Sequence, residues 1–291
     1  MSAASRRRVG LLPWLLLAPG LLLFLFFVIV PLAIMASTST YQLDRTTGQL
    51  VPDGLSHYAS FLRDPFYLGV LGRTLRLAAI TTILAALVGY PVAYAMIKAS
   101  PRQQASLLLI ILAPLLVSVV VRTFGWLVLL GPNGAINSLL LGLDLIREPL
   151  RLLYSETAIV LGLLHVLLPF AILPIFASLR NIDPDLHRAA QNLGAGPAYA
   201  FWRLTLPLSL PRIAAGSLIV LALRSSAFVT PAVLGGARLK VMSTLVYQQI
   251  MQLADFPRGA AIALILMGIS VSAVLAYLRA LERGRSGVVF D

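Results

Sequence analysis

Asn181–Pro211 reads NIDPDLHRAAQNLGAGPAYAFWRLTLPLSLP, a polar, proline-punctuated segment set between apolar runs at 157–178 and 209–233. Asp183-Pro184 predicts a helix start, because an aspartate carboxylate accepts bonds from the orphan amides of a first turn and proline fits the first helical position. Leu186, Ala189, Ala190 and Leu193 then fall at i, i+3, i+4 and i+7, on one apolar face. Gly194 is expected to end that helix, since the left-handed backbone of a helix stop costs glycine nothing. A second short helix is expected from Pro197 to Leu206, with Pro207 and Pro211 marking the start of the next apolar run. Two short helices joined at a glycine elbow make a compact knob. Such a knob suits a groove on a partner; without a partner, the segment is an interfacial connector.

Working outward from this knob, the chain divides into apolar runs near 11–36, 74–97, 105–130, 157–178, 209–233 and 257–279. A helix needs roughly 20 such residues to cross a bilayer, so six spans are predicted. The composition agrees. At 59% hydrophobic and 12% charged, with a mean hydropathy of +0.90, the chain departs from soluble domains, which are about 45–50% apolar and about 25% charged. The expected fold is an all-α, polytopic transmembrane protein of six helices. It forms a single permease domain, 11–279, between tails at 1–10 and 280–291. The run from Leu11 to Ala36 follows Arg6-Arg7-Arg8 but exceeds the roughly 7–15 residues of a signal-peptide core, so it is expected to stay as the first helix.

The net charge of +12 raises the question of nucleic acid, which demands cations gathered on a polar face. Most of the 23 Lys and Arg instead flank apolar runs, so the basic balance points to membrane lipid and to orientation. With the N-terminus inside, the cytoplasmic pieces hold eleven cations against four acids, whereas the external pieces carry about as many acids as cations. Cations are retained on the cytoplasmic side, so both termini, and the segment 181–211, are expected there. The external connections hold an amphipathic stretch, His57–Leu62, and two apolar pieces too short to span, Ile136–Leu143 and Val241–Leu253.

Enzymatic chemistry finds no support. The chain has no cysteine, which excludes disulfides, thiolate metal sites and cysteine nucleophiles. Its two lysines, Lys98 and Lys240, are followed by Ala99 and Val241, and neither fits the Gly-Lys-Ser/Thr core of a phosphate-binding loop. His57, His165 and His187 stand more than 20 residues apart across predicted crossings, so no metal site is expected. A helix-packing hydrogen bond is the expected role of His165 in the fourth span.

The knob segment resembles the cytoplasmic signature of ABC-importer permeases, EAA–x3–G–x9–I–x–L–P. Ala189 and Ala190 match its alanines, Gly194 its glycine, and Leu204-Thr205-Leu206-Pro207 its distal end, at the same spacings. The signature's glutamate falls on Arg188. Further likeness to the spermidine/putrescine permease family, its first membrane subunit, runs through Val121–Trp126, Asn133-Gly134, Ile136-Asn137, Tyr154–Ala177 and Phe228–Gly236. It covers roughly 56–279. The resemblance implies a bacterial inner-membrane subunit whose knob docks on a cytoplasmic ABC ATPase dimer. It also implies a second homologous permease and an external solute-binding protein; ATP and Mg would be held by the ATPase, with no cofactor in this chain. The ATPase-coupling residues carried over are Arg188, Ala189, Ala190, Gly194, Leu204, Leu206 and Pro207. The resemblance implies a polyamine solute, though such families also carry iron, sulfate and phosphonate.

Residue chemistry pulls the other way on substrate. Arg122 and Arg224 fall inside predicted spans, where a cation costs about 2.5–3.5 kcal/mol and so faces a cavity or a partner. Either they line a translocation path or gate, or they pair with backbone carbonyls or a neighbouring subunit. Ser225, Ser226 and Thr230 make the surroundings of Arg224 polar. The candidate path residues are therefore Arg122, Trp126, Arg224, Ser225 and Thr230. No Asp or Glu lies well inside a span, which suits an anionic or zwitterionic solute (an amino-phosphonate, an opine or an amino acid derivative) better than a dication. A non-transporting membrane scaffold or receptor is the alternative from another class. The lack of intramembrane acids argues against an ion-coupled secondary transporter.

Overall fold

The computed structural model describes residues 11–44 and 46–285; the expected N-terminal tail, Arg45 and residues 286–291 lie outside them. The chain begins with α1 (Leu11–Phe24), a π turn (Leu25–Ile29) and α2 (Val30–Thr38), followed by the strands β1 (Tyr41–Leu43) and β2 (Leu50–Pro52). Next come α3 (Ser56–Arg63), α4 (Pro65–Lys98), α5 (Pro101–Leu116), α6 (Val119–Leu130) and α7 (Ala135–Gly142). The second half holds α8 (Glu156–Arg180), α9 (Pro184–Asn192), α10 (Pro197–Ala200), a π turn (Phe201–Thr205) and α11 (Leu206–Ser226). It closes with α12 (Val229–Leu234), α13 (Met242–Tyr247), a third π turn (Gln248–Gln252) and α14 (Phe256–Arg285).

Six helical stretches are long and apolar enough to cross a membrane: Leu15–Thr38, Pro65–Lys98, Val119–Gly142, Glu156–Arg180, Pro197–Ser226 and Phe256–Leu281. The all-α, six-span expectation holds. The first stretch is wholly unburied, with Leu16 75% and Phe27 68% exposed. Apolar side chains left outside in this way are solvated by lipid at no cost.

The residues fall into two compact units. One contains the chain up to Arg63 together with Val246–Ile265. Here β1 and β2 pair antiparallel, Tyr41 opposite Pro52, and α3 folds back on them. Buried His57 places Nε2 2.9 Å from the Tyr41 carbonyl, and the Tyr58 and Ser39 hydroxyls meet at 2.7 Å. The turn between the strands is an aspartate knot: Asp44 accepts from the Thr46 amide and hydroxyl and from the Thr47 hydroxyl, at 2.6–2.8 Å. These bonds, those of Thr46 first, hold the Asp44 carboxyl down at about 2.

The other unit, Asp64–Leu245 with the rest of α14, is built on α4, α8 and α11. Their contact uses small residues. A Cβ on Gly216 of α11 would lie 3.3 Å from the Ala171 carbonyl of α8, and one on Gly89 of α4 3.4 Å from the Ala171 side chain. Backbones brought this close gain dispersion that larger side chains would block. Ala85 and Ala93 continue the stripe on α4, both fully buried. At the Glu156 end, Arg76 Nη2 donates to both carboxylate oxygens of Glu156, at 2.5 and 2.6 Å. Arg73 donates to the Lys240 carbonyl at 3.2 Å, and the Met242 amide donates to Thr74 at 2.9 Å. The segment before α13 is thereby tied to α4.

Three boundaries differ from expectation. The run 105–130 is not one helix: α5 ends at Leu116, Val117 is extended, and α6 starts at Val119. The break is stabilised by Arg122, whose Nη1 donates to the Pro114 carbonyl and reaches that of Val117 at 3.5 Å. A cation over the orphan carbonyls of a helix end satisfies both their hydrogen bonds and the helix dipole. The run 209–233 also divides, at Ala227, whose carbonyl accepts from Ser243 at 2.7 Å. Finally, the second knob helix does not stop before Pro207; α10, the π turn and α11 form one continuous helix, Pro197–Ser226. Proline lacks the amide a helix interior needs, and the π turn just before it shifts the hydrogen-bond ladder so that the chain passes without ending.

Candidate functional site

The knob is set by local chemistry. Asp183 accepts from the Asp185 amide at 2.9 Å, capping α9 with Pro184 in its first position. At the other end, Gly194 has φ +82, its amide donates to Gln191, and the Ala195 amide reaches Ala190 at 2.9 Å. This paired stop requires a left-handed residue at the glycine. Of the apolar face, Leu186 is 44% and Leu193 88% exposed. Ala189 is exposed and Ala190 half-buried. Arg188 is exposed and, among the described residues, pairs with Asp185 of its own helix, at 3.0 Å. Beyond the elbow, Leu204 and Leu206 are half-buried and Pro207 exposed. Phe201 lodges against Tyr90 and Tyr94 of α4, at 5.8 and 5.5 Å between ring centres. Tyr199 and Trp202 stay 60% and 66% exposed.

About a quarter-turn round α9 from Leu186, His187 Nε2 lies 3.0 Å from the hydroxyl of Thr205, which is buried. Neither residue was singled out in the sequence for this contact. A histidine one place before Arg188 is visible there, but its partner is 18 residues on.

A second polar locus lies between α6, α8 and α12. Trp126 Nε1 donates to His165 Nδ1 at 3.2 Å, so the proton of the neutral imidazole sits on Nε2. The helix-packing bond expected of His165 is present, with Trp126 as its partner. One turn from Trp126, Thr123 donates to the Val119 carbonyl at 2.6 Å and meets the Thr230 hydroxyl at 3.3 Å. Gly162 of α8 leaves room for Thr230: a Cβ there would lie 2.9 Å from its methyl. Arg122, half-buried, closes the row. The structure thus brings Arg122, Trp126 and Thr230 into one seam and adds Thr123 and His165. No carboxylate joins it among the described residues.

Arg224 and Ser225 are not part of this seam. Ser225 donates to the Leu221 carbonyl of its own helix at 2.9 Å. Arg224 is 0% exposed, and its Nε and Nη2 have no hydrogen-bond partner among the described residues.

Residues 106–285 match the family described as binding-protein-dependent transport system inner membrane component. Over 256 residues, 88% of this chain and 89% of the relative, the sequence is 31% identical to the spermidine/putrescine transport system permease protein PotB of Haemophilus influenzae. It is 32% identical over 202 residues, 69% of this chain and 74% of the relative, to the molybdenum transport system permease protein ModB of Mycobacterium bovis. Among solved structures, a chain of a bacterial alginate ABC transporter, in complex with an alginate pentasaccharide-bound periplasmic protein, superposes with a TM-score of 0.75 at 19% identity. That alignment covers 91% of this chain and 92% of the other.

Proposed function

The chain belongs to the family of binding-protein-dependent transport system inner membrane components and is a multi-pass permease subunit of an ABC importer; on that premise we propose that it imports a polyamine. The observation that carries this reading is the 31% identity to PotB across 88% of the chain. An external binding protein delivers the solute. A second, homologous permease completes the path, because one six-helix bundle is too narrow to supply it alone. A separate ABC ATPase dimer, holding ATP and Mg, docks on the exposed apolar face of α9 at Leu186 and Leu193 and drives alternating access. Both termini and α9 face the cytoplasm in this reading. Since the chain has no cysteine, Asn192→Cys, exposed on α9 and outside its apolar face, makes a unique reporter. It should react with a membrane-impermeant maleimide in inverted vesicles and not in intact cells; the reverse labelling would overturn the orientation.

One observation favours a second reading for the solute. The seam holds the Arg122 guanidinium and the Nε2–H of His165 beside the buried hydroxyls of Thr123 and Thr230, which bond each other, with no carboxylate among the described residues. Donors and positive charge of this kind complement an anionic or zwitterionic solute, such as an amino-phosphonate or an opine. The experiment is uptake into proteoliposomes holding both permeases, the ATPase and the binding protein. Radiolabelled spermidine should accumulate with ATP and with the binding protein. Uptake blocked by an amino-phosphonate and untouched by spermidine would replace the polyamine with the second class. Uptake by this chain alone, without ATP, would remove the importer assignment.

A further inference from the structure

The helix α9 has two unlike faces. Leu186 and Leu193 point away from the chain, whereas His187 and Ala190, three residues apart, are half-buried against it. Apart from its Asp183 cap, the side-chain hydrogen bond between α9 and the rest of its unit among the described residues is that between His187 and Thr205. The Thr205 hydroxyl also lies 3.4 Å from the Ala200 carbonyl, to which it donates its single proton. With that proton so directed, the Thr205 lone pair is free to accept from the Nε2–H tautomer of His187.

Thr205 occupies an unusual place. It is the last residue of the π turn, where the hydrogen-bond ladder of the long fifth-span helix returns to regular spacing. One turn on, the buried Ser209 donates to the Leu206 carbonyl at 2.9 Å and accepts from the Tyr90 hydroxyl of α4 at 3.3 Å. Two separate polar contacts therefore meet this helix about one turn apart, one from the knob at Thr205 and one from α4 at Ser209, with only the helix backbone between them. The covalent path between α9 and α10 is the elbow at Gly194, with φ +82, where a rotation of α9 relative to α10 would be taken up in a few backbone angles.

We propose that His187 is the positioning residue that passes displacement of α9 to the fifth-span helix, by way of Thr205. The proposal rests on the reading of α9 as the ATPase contact. It assigns the two faces of α9 different tasks: Leu186 and Leu193 hold the partner, and His187 transmits its movement. A bound but unpinned knob would swing at Gly194 while α10–α11 stayed still.

The test uses the assembled transporter with nitroxides on Asn192→Cys and Leu210→Cys, positions that are both exposed in a chain otherwise free of cysteine. With His187 in place, the distance between labels should be the same with and without ATP, because the two segments move together. In His187→Ala and in Thr205→Val, the distance should change on ATP binding while the ATPase subunit stays attached. Spermidine uptake per ATP hydrolysed should fall about tenfold, the consequence of losing one buried hydrogen bond in the transmitting state. His187→Gln, whose amide N–H reaches the same hydroxyl, should restore a constant distance. The double variant should be no worse than either single one, since both remove the same bond. A constant distance in both single variants would overturn the proposal, as would loss of the ATPase subunit from them, which would make His187 part of the docking face. Failure of the unsubstituted chain to retain the ATPase would instead remove the docking reading beneath it.

Discussion

The knob around α9 and the helix core around Arg224 invert each other. In the knob, apolar groups stand outside, with Leu193 88% exposed, while the polar groups cap and pin one another. In the core, a guanidinium is sealed at 0% exposure with two nitrogens unpaired. Neither arrangement would survive in a water-soluble monomer. The first invites a protein groove to cover it; the second is a polar group held by the close packing of its neighbours. Segments that meet a partner and segments that meet only their own chain thus carry opposite errors when judged by the rules of soluble proteins.

The largest effect is expected from Arg224→Met. Replacing a buried, poorly paired charge with an apolar side chain of similar length is expected to stabilise by about 1–4 kcal/mol. Thermal unfolding in detergent should show a raised midpoint for the variant. A lowered midpoint would mean the cation is fully paired in the assembled transporter, and the contrast with the knob would vanish. Arg122→Met is the natural counterpart, because Arg122 is a span arginine whose partners are present. Removing it strands the carbonyls of Pro114 and Val117 at the α5–α6 break and should destabilise by about 1–3 kcal/mol in the same assay. Equal effects of the two substitutions would erase the distinction between a paired and an unpaired span arginine.

On the knob side, Gly194→Val forces a branched residue to φ +82, at a cost of roughly 1–2 kcal/mol from backbone strain alone, since no atom lies within reach of the new Cβ. Insertion and expression should stay normal, while the ATPase subunit no longer co-purifies and uptake is lost. Full transport by a normally expressed variant would leave the knob as a mere connector. The smallest effect concerns Asp44. Its carboxyl, lowered from 3.8 to about 2 by Thr46 and Thr47, supports the hairpin turn above pH 3.8, and that support disappears as the pH falls toward 2. Carboxyl NMR titration should place the Asp44 midpoint near 2, moving up toward 3.8 in Thr46→Val.

The sequence made some of this legible and hid the rest for physical reasons. Runs of apolar residues announced the six spans because the bilayer requires them, and Asp183-Pro184 and Gly194 announced α9 because capping is local. The α5–α6 break was invisible: Val117 and Ser118 sit within an apolar run, and the group that stabilises the break, Arg122, reads as a charge inside a span. Pro207 read as a stop, and only the π turn before it shows why the helix continues. Arg122, Trp126 and Thr230 were readable as polar residues among apolar ones. That they meet, and that His165 and Thr123 join them, depends on contacts across 39 and 107 residues, which no local pattern encodes.

At 34 residues, α4 is about 51 Å long, well beyond a hydrocarbon layer of roughly 30 Å. Its surplus has to be taken up by tilt or by projection into the headgroups. Arg73 and Arg76, about 12 and 17 Å along α4 from Pro65 and paired with Glu156, limit its depth, because carrying them into the acyl chains would strip their hydration, and the helix beyond them is left to tilt. The angle of α4 is therefore set by where the polar boundary of the bilayer lies. Since α4 packs on both α8 and α11, a thicker or thinner membrane would bias the whole core, making lipid chain length a control on transport that acts on no binding site at all.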